Sequence, residues 1–106
     1  MKTLKSKMIS YTPEEARQKL YSHLHNLCDY WSKQSGRTEK ERMEGLCFSI
    51  LVTFDGGTAD LPAIDIRMSP HKDDKKYLIS LGEKYFEPQM LINNCQMHEE
   101  FVKLIK

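Results

Sequence analysis

The sequence predicts an α+β fold dominated by helices. We expect one domain with a helical hairpin at residues 12–54, a small β element near 62–68 and a C-terminal helix. Three observations predict it: two Thr-x-x-Glu capping patterns, a short stretch of alternating apolar and polar residues, and an apolar stripe near the C-terminus. The 106 residues support one domain, which we expect at 12–106 behind a flexible basic arm at 1–11.

The first predicted helix begins after Thr12 and ends at Gly36. Thr12 and Glu15 match a capping box, and Pro13 fits the first helical position. An apolar stripe with helical spacing follows, formed by Leu20, Leu24, Leu27 and Trp31. Thr38 begins a second helix directly after Gly36. A connection this short predicts an adjacent, antiparallel helix.

Residues 46–54 fit both a helix and a strand. One helical face would hold Met43, Leu46, Cys47, Ile50, Leu51 and Phe54, whereas a strand after Gly45 would alternate Phe48, Ile50, Val52 and Phe54. We favour the helix, because Gly45 is the only turn residue in the run, although a glycine inside a helix costs about 1 kcal/mol relative to alanine. Either structure is apolar on more than one face, so we expect a central position.

A short half-buried strand is predicted after the stop at residues 55–57. Ile64, Ile66 and Met68 alternate there with Asp65 and Arg67. A third helix is predicted after this strand. Asp73 and Asp74 can cap it, and it ends at Gly82. Its inward residues would be Tyr77, Leu78 and Leu81, with a strand over 77–81 as the alternative.

The C-terminal helix is predicted from a cap and a stripe. Asn93 and Asn94 offer the cap. The apolar stripe consists of Met97, Phe101, Leu104 and Ile105.

Composition excludes several classes of protein. Sixteen Lys and Arg against fifteen Asp and Glu give a net charge of +1, which disfavours nucleic acid and acidic membranes as partners. The longest apolar run, 46–54, is far shorter than the ~20 residues that span a bilayer. Three widely spaced cysteines, Cys28, Cys47 and Cys95, argue against a disulfide framework. We therefore expect a cytoplasmic protein with packed, reduced thiols.

No motif predicts a cofactor. The chain lacks the glycine-rich phosphate loops and the GxSxG nucleophile motif. Cys95 and His98 have the spacing of metal ligands, but no second pair accompanies them, so they remain a weak alternative and we predict no metal site.

Acidic residues and one histidine gather in the central loops. Turn and capping chemistry is their ordinary role. A functional role would give this region a negative field that attracts a basic partner surface. The candidate binding residues are Asp55, Asp60, Asp65, His71, Asp73 and Asp74, together with Tyr30, which lies off the first apolar stripe.

The leading functional prediction is a non-catalytic protein-binding or regulatory module. Small size, the lack of a cofactor motif, near-neutral charge and aromatic residues in excess of a small core favour a protein partner. A homodimer through the first helix stays open. The alternative is a small metal-dependent or acid–base hydrolase that uses Asp55, His71, Asp73 and Asp74.

Several segments also resemble a family of short, uncharacterised bacterial and phage-borne proteins. The resemblance covers residues 38–101 and leaves out the first helix. It is carried by ERMEGLCFSILVTFDG at 41–56, Leu61-Pro62, Pro70-His71 with Asp73-Asp74-Lys75, Gly82-Glu83, and Ile92-Asn93-Asn94 with His98-Glu99. It implies a cytoplasmic bacterial or phage protein. A phage-encoded inhibitor of a host system and a toxin-immunity protein are two concrete forms of the binding module predicted above. The resemblance brings no activity, cofactor or catalytic residue.

Overall fold

The computed structural model describes residues 9–105, and four α-helices lie in this range. They are α1 (Pro13–Ser32), α2 (Glu39–Phe54), α3 (Asp74–Ser80) and α4 (Met97–Lys103). Helix α2 packs against both α1 and α4, which confirms its predicted central position, whereas α3 packs against none of the other three. The predicted basic arm at 1–11 falls almost wholly outside the described residues.

The helical hairpin forms as predicted. Glu15 N–H donates to Thr12 Oγ1 over 3.1 Å, and Thr12 N–H donates to Glu15 Oε1 over 2.9 Å. Thr38 and Glu41 repeat this box: Glu41 N–H donates to Thr38 Oγ1 over 3.1 Å, and Thr38 N–H donates to Glu41 Oε1 over 2.8 Å. Helix α2 runs unbroken through Gly45 to Phe54, so the strand alternative for 46–54 is wrong.

The contact between α1 and α2 depends on small residues spaced four apart on α2. Gly45 lies under the Trp31 ring, and a Cβ atom there would come within 2.4 Å of a ring carbon. Trp31 Nε1–H donates to Ser49 Oγ over 2.9 Å. Because the hydroxyl of the fully buried Thr53 donates to Ser49 O, the ring of His23 donates to Thr53 Oγ1, over 2.9 Å. The two helices are thus held by hydrogen bonds as well as by packing.

The α+β prediction is wrong, because residues 9–105 contain no strand and the fold is all-α. The predicted alternation does exist: Ile64, Ile66 and Met68 are half-buried, and the residues between them are exposed. One isolated antiparallel bridge, Arg67 to Leu91, forms between residues 66–68 and the 89–92 segment, supported by backbone hydrogen bonds on either side of it. The Asn93 side chain accepts from Ile66 N–H and donates to Ile64 O, over 2.8 and 2.6 Å. The Asn93 side chain therefore continues toward Ile64 a backbone pairing that is too short to form a strand.

Helices α3 and α4 form where expected but begin differently. Asp73 precedes α3 without a side-chain capping bond, and the strand alternative for 77–81 is wrong. Of the three residues predicted to point inward, only Leu78 is half-buried. Helix α4 begins after Gln96, so the predicted cap at 93–94 is also wrong, because the Asn93 amide is engaged with the 64–66 segment.

None of the helices in the described range is long and apolar enough to cross a membrane.

Candidate protein-binding surface

The described residues bury very little apolar side chain. Leu61 is their one buried hydrophobic residue, and Thr53 is the one buried polar residue. Fourteen large hydrophobic side chains are exposed instead. Half-buried residues make the contacts between the helices. The hairpin therefore has an interface between α1 and α2 but almost no fully buried core. The exposed side chains are Ile9, Tyr11, Tyr21, Tyr30, Met43, Tyr77, Ile79, Leu81, Tyr85, Phe86, Met90, Val102, Leu104 and Ile105.

The accessible area of the chain is correspondingly large, at 8757 Å². A compact monomer of 12.4 kDa exposes about 6,100 Å². Fourteen large hydrophobic side chains contribute to this exposed surface, and exposed apolar patches mark interaction sites.

The first apolar region is a protruding segment, residues 71–90. We call it the arm, and it is distinct from the basic arm predicted at residues 1–11. Every residue in it is exposed except Leu78, which is half-buried. Its base is closed by backbone hydrogen bonds from Met68 N–H to Met90 O and from Gln89 N–H to Met68 O, over 3.0 and 2.7 Å. Ile92 N–H to Ile66 O extends this short ladder. The arm is therefore anchored at both ends and uncovered between them.

Local interactions shape the arm. Gly82 adopts a left-handed conformation with φ of +70°, and Glu83 N–H bonds back to Leu78 O over 2.9 Å, which ends α3 in a Schellman motif. Lys75 then pairs with Glu87 over 3.1 Å and lies 5.0 Å from the Tyr85 ring. The Glu87 carboxylate raises the pKa of Lys75. These contacts fold the 83–87 segment back toward α3 but bury almost nothing.

The second apolar region surrounds Trp31 on the hairpin. Two shallow hollows share Trp31 as a wall, and we call them together the Trp31 groove. Arg37 lies over the Trp31 ring at 5.8 Å, so the rim carries charge while the floor is apolar. The apolar residues of the first hollow are Cys28, Trp31, Met43 and Leu46, and its polar residues are Ser32, Glu39 and Arg42. The second hollow is lined by Trp31, Gly45, Phe48, Val102 and Ile105, and its charged residues are Arg37, Glu41 and Glu44.

Asp55 is the best-defined charged group of the structure. Its side chain is 1% exposed, and its Oδ2 accepts from the backbone N–H of His98 over 2.9 Å and from His98 Nδ1–H over 2.6 Å. Burial alone works to raise the pKa of this carboxyl, but the hydrogen bonds from His98 outweigh burial and hold the pKa below its usual value. Oδ1 is buried without a partner. Asp55 therefore stabilises the junction of α2 and α4.

Asp60 and Asp65 make their contacts with residues other than Asp55. Asp60 is exposed at a small hollow that it shares with Lys19, Ser22, His23 and Asn26. Asp65 is exposed and lies 3.3 Å from Arg67 Nη2.

His71, Asp73 and Asp74 do come together, in the turn that opens the arm. His71 N–H donates to Asp74 Oδ2 over 3.2 Å, and Asp73 N–H donates to His71 Nδ1 over 3.1 Å. This is turn chemistry among exposed side chains. The histidine that meets Asp55 is His98, not His71.

Within residues 9–105, no group of three or more histidine, cysteine, aspartate or glutamate side chains is placed to hold a metal ion. His98 of the weak Cys95–His98 pair is engaged by Asp55. Partial burial, and then the Glu100 carboxylate, raise the pKa of the Cys95 thiol. The sequence predicted packed thiols, but Cys28 and Cys47 are exposed.

Tyr30 is exposed, as its position off the apolar stripe predicted, and its ring meets Trp31 edge to face at 5.3 Å. The Trp31 groove itself was not predicted. The spacing of Gly45, Ser49 and Thr53, four residues apart, is the signal that could have indicated a close helix contact beside it.

Comparison of the chain with known protein families, with characterised proteins and with solved structures finds no match.

Proposed function

We propose that the chain is a non-catalytic protein-binding module that holds its partner in the Trp31 groove. The observation that carries the proposal is the imbalance between one buried and fourteen exposed large hydrophobic residues in the described range. Removing apolar surface from water contributes about 25 cal/mol per Å², so an uncovered groove is a source of binding energy. A cytoplasmic inhibitor or immunity-type protein of bacterial or phage origin is the form that this function takes in our proposal.

The chemistry of the groove supports a protein rather than a small ligand. Its hollows are shallow, and an apolar floor lies beside mixed charges. Met43 is 63% exposed on the wall of the first hollow, and Val102 is exposed on the second. An apolar centre with a polar rim is the usual arrangement of protein interfaces. A complementary partner would place apolar side chains beside Trp31 and pair its own charges with Arg37, Arg42 and Glu41.

Affinity capture with matched variants tests this function. The wild-type chain should retain a stoichiometric protein from bacterial cells. Met43→Glu should lower that retention about 10-fold or more, because a charge enters the apolar floor. Gln18→Glu adds the same charge at an exposed position of α1 and should retain the partner. Equal retention by both variants, or no stoichiometric partner, contradicts the proposed function.

A further inference from the structure

We infer that helix α4 is a movable wall of the Trp31 groove, and that its docking on α2 decides whether the second hollow is formed. The inference rests on the proposed function and deepens it, because it concerns the regulation of the same groove. Val102 and Ile105, in and directly after α4, line the second hollow opposite Trp31. The first hollow is built from residues of α1 and α2 alone.

Helix α4 has little burial to hold it in place. It has seven residues, and isolated helices below about 12–15 residues are marginal in water, so α4 depends on its contact with α2. Among the helices of the described range, α2 is its one packing partner. Met97, His98 and Phe101 are half-buried, and Val102 and Ile105 are exposed. A contact with so little buried surface can open while the rest of the chain stays folded.

The contact is strongest at one point, the start of α4. Asp55 directly follows α2, and its side chain is 1% exposed. Its Oδ2 accepts from both the backbone N–H and the ring Nδ1–H of His98, over 2.9 and 2.6 Å. Hydrogen bonds to a charged group are roughly twice as strong as those between neutral groups. The charge of Asp55 therefore dominates the balance between docked and undocked α4.

Phe48 connects this fastening to the groove. Its ring meets the His98 imidazole edge to face, with 5.5 Å between the centroids, and Phe48 also lines the second hollow. Undocking of α4 would remove His98, Val102 and Ile105 from Phe48 together. An open face of α2, rather than a hollow, would then lie beside Trp31.

The arrangement couples groove binding to α4. A partner that fills the second hollow contacts a wall that exists only when α4 is docked, so it binds the docked state more tightly. By thermodynamic linkage, the same partner favours docking by the same factor. A change that undocks α4 lowers the affinity of the groove without touching its α1 and α2 residues.

Hydrogen exchange of the full chain, followed by mass spectrometry, tests the inference without any partner. In the wild type the amides of residues 101–105 should exchange about 10-fold faster or more than those in the middle of α2, because α4 opens on its own. Asp55→Asn should speed the exchange of residues 101–105 about 10-fold or more, because the charged acceptor is lost. Asp60→Asn, at an exposed position, is the matched control and should change neither rate.

The fluorescence of Trp31 reports the second hollow directly, because Trp31 is the single tryptophan of the chain. In Asp55→Asn its emission should move to longer wavelength, and acrylamide should quench it more strongly, since undocking of α4 admits water beside the ring. Circular dichroism should show that α1 and α2 persist in this variant. Asp60→Asn should keep the wild-type emission.

Two results overturn the inference. One is equal exchange of residues 101–105 and the middle of α2 in the wild type, which would show that α4 opens only when the whole chain unfolds. This comparison needs no variant, so it decides even if Asp55→Asn does not fold. The other is a folded Asp55→Asn in which either the exchange of residues 101–105 or the Trp31 emission is unchanged. A failure to capture a partner contradicts the proposed function but alters none of these measurements.

Discussion

The carboxylate of Asp55 caps helix α4 through His98, which lies 43 positions later in the chain. Oδ2 accepts both the backbone N–H of His98, in the first turn of α4, and the imidazole Nδ1–H. Gln96, the residue that precedes α4, supplies no side-chain capping bond. The negative charge also faces the positive end of the helix dipole. One buried acid thus connects the end of α2 to the start of α4.

Replacing this acid should destabilise the fold and change its pH dependence. Asp55→Asn should lower the free energy of unfolding by about 1–3 kcal/mol at pH 7, because a charged acceptor is lost in a buried position. Since folding lowers the pKa of Asp55, its contribution is complete above the unfolded value of about 3.9 and is lost as pH falls through the lower folded pKa. Urea titrations at several pH values measure the difference.

The gap between wild type and Asp55→Asn should therefore shrink only in acid, below about pH 4. A gap that is already absent at pH 7 would show that the carboxylate does not cap α4 as described. Asp60→Asn, at an exposed position, is the matched control and should change little.

Gly45→Ala tests the close contact of the two long helices. Helix propensity alone predicts a gain of about 1 kcal/mol. The added methyl group would come within 2.4 Å of the Trp31 ring, so we expect a net loss of about 1–3 kcal/mol in urea denaturation. The loss should be smaller in a Trp31→Phe background, where the ring is smaller. A more stable Gly45→Ala protein would contradict the contact.

Two threonines with buried hydroxyl groups should respond in opposite ways. Thr53 donates to Ser49 O and accepts from His23, so Thr53→Val should cost about 1–3 kcal/mol, because the His23 ring nitrogen loses its partner while Ser49 O keeps its helical hydrogen bond. The buried Oγ1 of Thr58 has no partner, and Thr58→Val should be neutral or stabilising. Thermal unfolding of the two variants side by side measures this contrast. Equal effects would refute the assigned hydrogen bonds.

The three thiols should differ in reactivity. Cys95 is half-buried and its pKa is raised by partial burial and by Glu100, whereas Cys28 and Cys47 are exposed. We expect alkylation at mildly alkaline pH, followed by mass spectrometry, to modify Cys95 last. Cys95 reacting first would contradict its described surroundings.

Local signals predicted the hairpin well and the rest less well. The capping boxes at Thr12 and Thr38 act within four residues, so sequence alone places both helices. The wrong strand prediction shows the limit of such local signals. Alternation from Ile64 to Met68 indicates an extended, half-buried segment, but it does not indicate whether a second strand lies beside it. Only a short backbone pairing with residues 89–92 lies there, extended by the Asn93 side chain, and a contact across 29 positions leaves no local pattern.

The candidate site was hidden for a similar reason. Asp55 was recognised as an acid in a turn, but its partner His98 is distant in sequence, and nothing near either residue indicates the pair. The exposed arm was missed because an apolar pattern predicts burial without saying what provides it. Tyr77 and Leu81 were therefore expected to point inward, and in the single chain both are exposed.

The central claim is that protein partners cover the apolar surface of this chain. Native mass spectrometry of the tagged chain, purified gently from the cells that make it, tests this most directly. The account predicts assemblies heavier than the 12.4 kDa monomer, containing a second copy, a different protein, or both. A single species at the monomer mass would contradict it.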